Sequence, residues 1–263
     1  MKLGFIGAGN MAKAIIGGIV SSKQVLGSEI IVANPSDAKL ETLKATYQVQ
    51  TTNDNQAATK VDYLFLCVKP QVIQKVLQEI AEILSSDTVV ISIAAGVSIA
   101  QIAKNLNEKT KIIRLMPNTP ALVLAGMTSL TANQNVTTNE KQVVWNLLSA
   151  IGEVVEVKEE MIDAVIAIAG SSPAYVYIMI EAMADAGVSY GLSRDMAYKL
   201  AAQAVLGSGK MVLETKINPA ALKDMVTSPK GTTIAAVKKL EETGFRSAIM
   251  QAMDACFEKS KKM

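Results

Sequence analysis

The run Thr227-Ser228-Pro229-Lys230-Gly231-Thr232-Thr233 has the residue types needed to hold a small anion. It is a hydroxyl-rich turn with one proline and one glycine. It opens directly onto the helical pattern Ile234-Ala235-Ala236-Val237-Lys238-Lys239-Leu240. The first N–H groups of a helix have no intrahelical partner, and negative charge is favoured in front of them. Serine and threonine hydroxyls add donors to the same seat, and a carboxylate is a natural occupant. A second start of this kind, Ala169-Gly170-Ser171-Ser172-Pro173-Ala174-Tyr175, makes Ser172 a candidate for a shared polar pocket. An ordinary N-cap with proline in the first turn explains that segment equally well.

Near the other end, Gly7-Ala8-Gly9-Asn10-Met11-Ala12 follows a strand pattern and opens a helix. This is the G-x-G-x-x-[GA] arrangement in its proper setting. The first glycine makes the tight turn, the second lets a pyrophosphate approach, and a small third residue lets helix and strand pack closely. A nucleotide site and an anion seat on one chain suggest a cofactor enzyme acting on a small acid.

The second strand pattern ends at Ala33-Asn34-Pro35-Ser36. A chain that binds NAD usually has Asp or Glu there for the ribose hydroxyls. Asn34 and Ser36, with Lys39 nearby, suit a 2′-phosphate instead and favour NADPH; Asp37 keeps NADH open. Ser36 also reads as the N-cap of the next helix. Three later segments, Val68-Lys69-Pro70-Gln71, Ala94-Ala95-Gly96 and Met116-Pro117-Asn118-Thr119-Pro120, each follow a strand pattern. Ends of parallel strands line a dinucleotide crevice. Val68, Lys69, Pro70, Ala95 and Asn118 are therefore candidate cofactor neighbours, although a plain strand-to-helix turn accounts for Lys69 equally well.

Histidine is absent from the 263 residues. That excludes a Ser-His triad, a histidine proton shuttle and a histidine-built zinc site. The two cysteines, Cys67 and Cys256, lie far apart and show neither metal-ligand spacing nor a disulfide framework, so no metal is expected. With 26 basic and 24 acidic residues the net charge is only +2. The basic tail Lys259-Ser260-Lys261-Lys262 reads as solvated and frayed, and no nucleic-acid partner is expected. No signal peptide and no apolar run of membrane-spanning length is expected either, which places the chain in the cytoplasm.

These candidates need a frame to hold them. Up to residue 157 strand and helix patterns alternate: strands at 2–6, 29–33, 62–68, 88–93, 111–115, 127–132 and 153–157, with helices at 10–21, 36–47, 71–84, 98–106 and 139–151. Such alternation argues for an α/β fold with a parallel sheet. Beyond about 160 the strand signal stops, and helices are expected at 161–169, 173–187, 194–214, 218–226, 233–243 and 246–261. The division is thus a dinucleotide-binding domain, 1–157, and a helical domain, 158–263. Tyr175-Val176-Tyr177-Ile178-Met179-Ile180 is apolar nearly all round, unlike a surface helix. The expectation is a helical domain buried in a partner subunit, with packing of these helices on the first domain as the alternative.

On Gly7–Ala12, Val68–Gln71, Ala94–Val97, Met116–Pro120, Ala169–Tyr175 and Ser228–Glu241, the chain resembles the pyrroline-5-carboxylate reductase family, collinearly and over essentially its whole length. The last two segments are specific to that family. The resemblance implies a Rossmann domain that binds NADPH and an all-helical domain that dimerises by interleaving with its twin. Such dimers often assemble into a ring of five. It further implies reduction of the C=N bond of pyrroline-5-carboxylate to proline by hydride transfer. The substrate carboxylate would be held by Ser228, Gly231, Thr232 and Thr233, with the Thr233 hydroxyl toward the ring nitrogen. An asparagine, Asn55 or its neighbour Asn53, would touch the ribose. One departure is visible: where the family commonly has Gly-Gly after the proline, this chain has Lys230 before Gly231. Two alternatives remain at this stage. One is another NADP-dependent imine or 3-hydroxyacid reductase of similar architecture, although Lys199, Lys210 and Lys223 lack the Gly-rich, Asn-containing setting of a hydroxyacid enzyme's catalytic lysine. The other is a non-catalytic NADP-binding sensor.

Overall fold

A computed structural model describes residues 1–262. The chain divides into two compact units: residues 1–170, joined by the chain from Phe257 onward, and Ser171–Cys256.

The first unit is built on eight strands: β1 (Leu3–Ile6), β2 (Ile30–Ala33), β3 (Gln50–Thr52), β4 (Tyr63–Leu66), β5 (Val89–Ser92), β6 (Lys111–Pro117), β7 (Gly126–Ala132) and β8 (Gly152–Glu156). Their order across the sheet is β3-β2-β1-β4-β5-β6-β7-β8. The central strands read LGFI, YLFL and VVIS and are buried at every position, as strands covered on both faces must be. Phe5 and Phe65, paired across β1 and β4, stack with ring centroids 4.6 Å apart. One apolar core joins the sheet to α1 (Asn10–Ser21), α2 (Asp37–Tyr47) and, later in the chain, α5 (Thr138–Ser149). The other lies under α3 (Pro70–Ile80) and α4 (Ile99–Asn105). Helix α3 presents Ile73, Val76, Leu77 and Ile80 to that core, the i, i+3, i+4, i+7 stripe of an amphipathic helix. Reciprocal caps, Ser98 with Gln101 and Thr137 with Glu140, start α4 and α5.

The sheet departs from the sequence expectation in two places. The short strand β3 has no apolar run to announce it, yet it pairs with β2 through Ile31–Gln50 and Ala33–Thr52. Strand β7 runs antiparallel to β6. The connector 118–125 between them is too short for the crossover that a parallel pair needs.

The sheet ends at Glu156, but the stretch that follows stays with the first unit to Gly170. The single helix expected at 161–169 is a broken one: a 3₁₀ turn at Glu159–Met161, α6 (Ile162–Val165) and a π-helical turn at Ile166–Gly170. Arg114 on β6 pairs with Glu159 at 2.9 Å, and the same carboxylate oxygen accepts the N–H of Ile99 at 2.7 Å. The tail is not frayed at Ser260. That residue is 8% exposed and its hydroxyl donates to Asp163, while the Lys261 ammonium lies over the Phe257 ring.

The second unit is helical: α7 (Ser172–Ser189), α8 (Arg194–Thr215), α9 (Pro219–Met225), α10 (Thr232–Glu242) and most of α11 (Phe245–Ser260). Within α7 only Ala184 and Gly187 are buried, and Tyr177 and Ile178 are 58% and 65% exposed. Contrary to the sequence reading, one stretch, Glu159–Ser189, is long and apolar enough to cross a membrane by length and composition. The apolar run Tyr175–Ile180 accounts for this, although Ser171-Ser172-Pro173 interrupts the stretch and Glu181 and Asp185 follow the run.

Candidate functional site

The strand order turns about β1: β2 and β3 lie on one side of it, β4, β5 and β6 on the other. The carboxyl ends of these parallel strands meet there in a crevice, the usual ligand position of an open α/β sheet. Gly7, Asn34, Val68 and the segment Asn53–Gln56 line a cleft of about 460 Å³ at this switch point.

The glycine turn fits a dinucleotide on its own geometry. Gly7 has φ +105°, and a β-carbon on it would sit 2.5 Å from the carbonyl oxygen of Cys67. Only glycine fits there, because β1 and the end of β4 approach so closely. Gly9 is the opposite case: a β-carbon on it would meet nothing within 4 Å. That open space is the berth a pyrophosphate needs. Gly9 is also the N-cap of α1 and has no side chain to cap it. Among the described residues the N–H groups of Asn10, Met11 and Ala12 find no acceptor, and the first helical bond runs from Lys13 N to Gly9 O at 2.9 Å. The turn thus offers donors to an anion and places nothing in the way.

Asn34 does something the sequence did not announce. It is 8% exposed, its Oδ1 accepts the N–H of Ala8 at 3.2 Å, and its Nδ2 donates to Ser36 O at 3.4 Å. It braces the glycine turn from the end of β2. Asn53 Nδ2 donates to Asn34 O at 3.1 Å and to the Asp37 carboxylate at 2.8 Å, so Asp37 is engaged within the loop. Ser36 is the N-cap of α2, but its hydroxyl makes no capping bond. Lys39 and Lys13 share a second, smaller cleft of about 320 Å³ with Ala8, Gly9 and Asn10. Neither lysine pairs with a carboxylate among the described residues.

Asn55 lines the larger cleft, where its Nδ2 donates to Glu79 Oε2 at 2.6 Å. Gln56 donates to the Glu79 carbonyl at 2.9 Å. Sequence reasoning missed Glu79. The signal was its spacing on α3: Val72, Val76 and Glu79 fall on one helical face, and all three line the cleft. Val68 lines the cleft as well, whereas Lys69 is the exposed N-cap of α3 and Pro70 its first residue. Ala95 is half-buried on the turn after β5, next to Gly96 at φ +72°. The Asn118 side chain is taken up by protein: Nδ2 donates to Ala169 O at 2.9 Å and Oδ1 accepts Met127 N–H at 2.8 Å.

In the helical unit, Gly231 N–H donates to Ser228 O at 3.0 Å, closing a turn with Pro229 and Lys230 at its corners. Lys230 has φ +58°, the left-handed conformation that a glycine would adopt freely. A β-carbon on Gly231 would lie 2.4 Å from Ser228 Oγ, so a larger residue here would turn the Ser228 hydroxyl out of its place. Gly231 caps α10 without a side chain, and Ser228, Thr232 and Thr233 are exposed. Among the described residues their hydroxyls, and the N–H groups of Thr232, Thr233 and Ile234, have no partner. Ser172 is the half-buried first residue of α7. Its neighbour Ser171 is not a capping hydroxyl; its Oγ accepts the Cys256 thiol at 3.2 Å.

A doubly wound sheet with a glycine turn at its switch point, followed by a helical unit with an open anion seat, defines the class of nicotinamide-dinucleotide oxidoreductases with a separate helical domain. Comparison with known proteins narrows this. A family model described as pyrroline-5-carboxylate reductase dimerisation matches residues 159–263, and one described as NADP oxidoreductase coenzyme F420-dependent matches residues 2–96. The pyrroline-5-carboxylate reductase of Escherichia coli (strain K12) is 52% identical over 263 residues, covering 100% of this chain and 98% of that protein. The solved pyrroline-5-carboxylate reductase of Coxiella burnetii superposes with a TM-score of 0.93 at 37% identity, covering 99% of this chain and 97% of that one. The Plasmodium falciparum pyrroline carboxylate reductase structure, which has NADP bound, gives 0.89 at 34% identity, covering 100% and 97%. The chain belongs to the pyrroline-5-carboxylate reductase family.

Proposed function

We propose that this protein reduces L-1-pyrroline-5-carboxylate to L-proline with NADPH, and with NADH as the lesser donor. What carries the reading is the end-to-end similarity of both units to proteins of that name. The open berth at Gly9 and the unpartnered start of α10 supply the two binding chemistries the reaction needs.

The residues divide the work as follows. Gly7, Ala8, Gly9, Asn10 and Met11 cradle the pyrophosphate with backbone donors. Asn34 holds that turn in shape, and Ser36 with Lys39 meets the 2′-phosphate. Asn55 and Val68 border the adenosine end, Lys69 and Pro70 shape the turn beside it, and Ala95 leaves room toward the nicotinamide. The N–H groups of Thr232 and Thr233, with the Ser228 and Thr232 hydroxyls, seat the substrate carboxylate; Gly231 lets the turn close, and Ser172 belongs to the same pocket. When bound, the reduced cofactor supplies a hydride to the carbon of the C=N bond, and the ring nitrogen takes a proton from solvent. Thr233 contributes orientation: its hydroxyl hydrogen-bonds the nitrogen and holds the imine carbon at the reacting distance. A pre-protonated imine needs no strong general acid, so a chain without histidine is adequate.

The exposed apolar side chains of α7 and α8, among them Ile178, Leu206 at 60% and Leu213 at 70%, are covered by a second copy in a homodimer. Assembly to a ring of five dimers is the finer form of this proposal, and light scattering reads it directly. The free cysteines Cys67 and Cys256 suit a reducing cytoplasm.

Purified protein, pyrroline-5-carboxylate and either reduced cofactor test the reaction. Oxidation of the cofactor with proline as product, faster with NADPH, is the expected result. Absence of proline, with NADPH still bound, overturns it.

A further inference from the structure

We infer that Asn118 is a positioning residue that ties the loop after β6 to the last turn of the first unit, and so fixes the point at which the chain leaves that unit. Its amide reaches two separate segments at once: it donates to Ala169 O at 2.9 Å and accepts from Met127 N at 2.8 Å. Asn118 is also the N-cap of the 3₁₀ turn Thr119–Val123, yet its side chain makes no capping bond. The local role that asparagine usually fills at a helix start is given up for the longer reach.

The far end of the clamp is an unusual place. Ala169 lies in the π-helical turn Ile166–Gly170, where the regular ladder is widened. Its carbonyl takes the Asn118 amide, and a few residues on Ala174 N–H donates to Ser171 O at the start of α7. Gly170 is the last residue of this stretch of the first unit, and Ser171 begins the second. Met116, two residues before Asn118, borders the same segment: a β-carbon on Gly170 would lie 3.5 Å from its methyl carbon. The end of β6 thus grips the chain where it leaves the first unit.

The clamp stands apart from the glycine turn. Gly7–Gly9 follow β1, and β6 is separated from β1 by β4 and β5. Losing it leaves the pyrophosphate berth intact and frees Ala169–Ser171, just ahead of Ser172. Asn118→Ala removes both bonds. Asn118→Asp is more informative. An ionised aspartate accepts from Met127 N–H but cannot donate to the Ala169 carbonyl, whereas the protonated acid does both.

The kinetic readout rests on the reductase reading, and a second readout does not. Hydrogen exchange at residues 166–171 of the ligand-free full chain is compared between wild type and both variants. Dissociation constants for NADPH come from fluorescence titration, and kcat and KM from proline formation. Exchange at 169–171 is expected to accelerate in Asn118→Ala, with NADPH affinity held within about twofold and kcat lowered about tenfold. The ratio of Asn118→Asp to wild-type kcat is expected to fall as pH rises through the new carboxyl. Unchanged exchange in both variants overturns the clamp, whatever the substrate proves to be. A loss of NADPH affinity in step with kcat overturns it too, by making Asn118 a direct cofactor ligand. A wild-type protein that forms no proline sinks the functional reading alone, and the exchange data still judge the clamp.

Discussion

The Asn34 amide oxygen accepts the backbone N–H of Ala8 at 3.2 Å, so the side chain at the end of β2 is a brace for the glycine turn. In a dinucleotide fold that position is expected to touch the adenosine ribose. Here it is buried and holds the glycine turn from behind.

Asn34→Ala therefore weakens NADPH and NADH together. Losing one buried hydrogen bond costs about 1–3 kcal/mol, because the Ala8 donor is left unpaired. Titration of each reduced cofactor should show both dissociation constants rising by a similar factor. A selective loss of NADPH would mean that Asn34 reads the 2′-phosphate itself. Lys39→Ala is the complementary case, with NADPH affinity falling and NADH affinity unchanged.

The two glycines of the turn fail in different ways. A β-carbon at Gly9 meets nothing within 4 Å, and its φ of −80° suits any residue. Gly9→Ala should melt at the wild-type temperature and still lose most of its cofactor affinity, because the methyl group fills the berth. Gly7→Ala places a β-carbon 2.5 Å from Cys67 O at φ +105° and should unfold several degrees earlier. A scanning-calorimetry trace and a cofactor titration on each variant separate the two. A Gly9→Ala protein that binds NADPH normally would move the berth elsewhere.

Thr233→Ala removes a hydroxyl that has no partner within the described chain, so the fold should not notice. Turnover should fall by about 1–3 kcal/mol of transition-state stabilisation while NADPH binding is kept. Wild-type kinetics in this variant would discredit the role given to Thr233.

Glu140 supplies a pH signature of stability. Burial alone would raise its pKa. The Lys111 ammonium at 2.7 Å and the Thr137 N–H and hydroxyl, each at 2.8 Å, outweigh that and hold it below the ordinary glutamate value. The folded state then binds this proton less readily than the unfolded chain. The stabilisation is complete above the unfolded value of about 4.3 and disappears as pH falls through the lower folded one. Glu140→Gln should be less stable at neutral pH and lose less on acidification. Urea midpoints measured down that pH range decide it, and parallel curves for the two proteins would contradict the assignment.

Much of this protein is written locally. Continuous apolar runs such as Leu3–Ile6 and Tyr63–Leu66 give buried parallel strands because both faces are covered, and the 3.6-residue stripe of α3 gives a helix wherever it lands. Gly9, the positive φ of Gly7 and the Ser228–Thr233 turn are legible for the same reason, since each depends on backbone geometry within a few residues; the close approach of Cys67 O to Gly7 does not. What the tertiary structure decided are the pairings across long sequence separations. Strand β3 exists because β2 offers it an edge, and Gln50-Thr51-Thr52 has no apolar pattern of its own. Glu79 reaches the cleft because α3 packs beside the 53–56 segment. Asn34, Ser36 and Asn118 were all visible as polar residues at strand ends. Which of them braces backbone, which keeps a free hydroxyl and which clamps a distant carbonyl depends on the neighbour that folding brings within 3 Å or so, and residue type does not encode that.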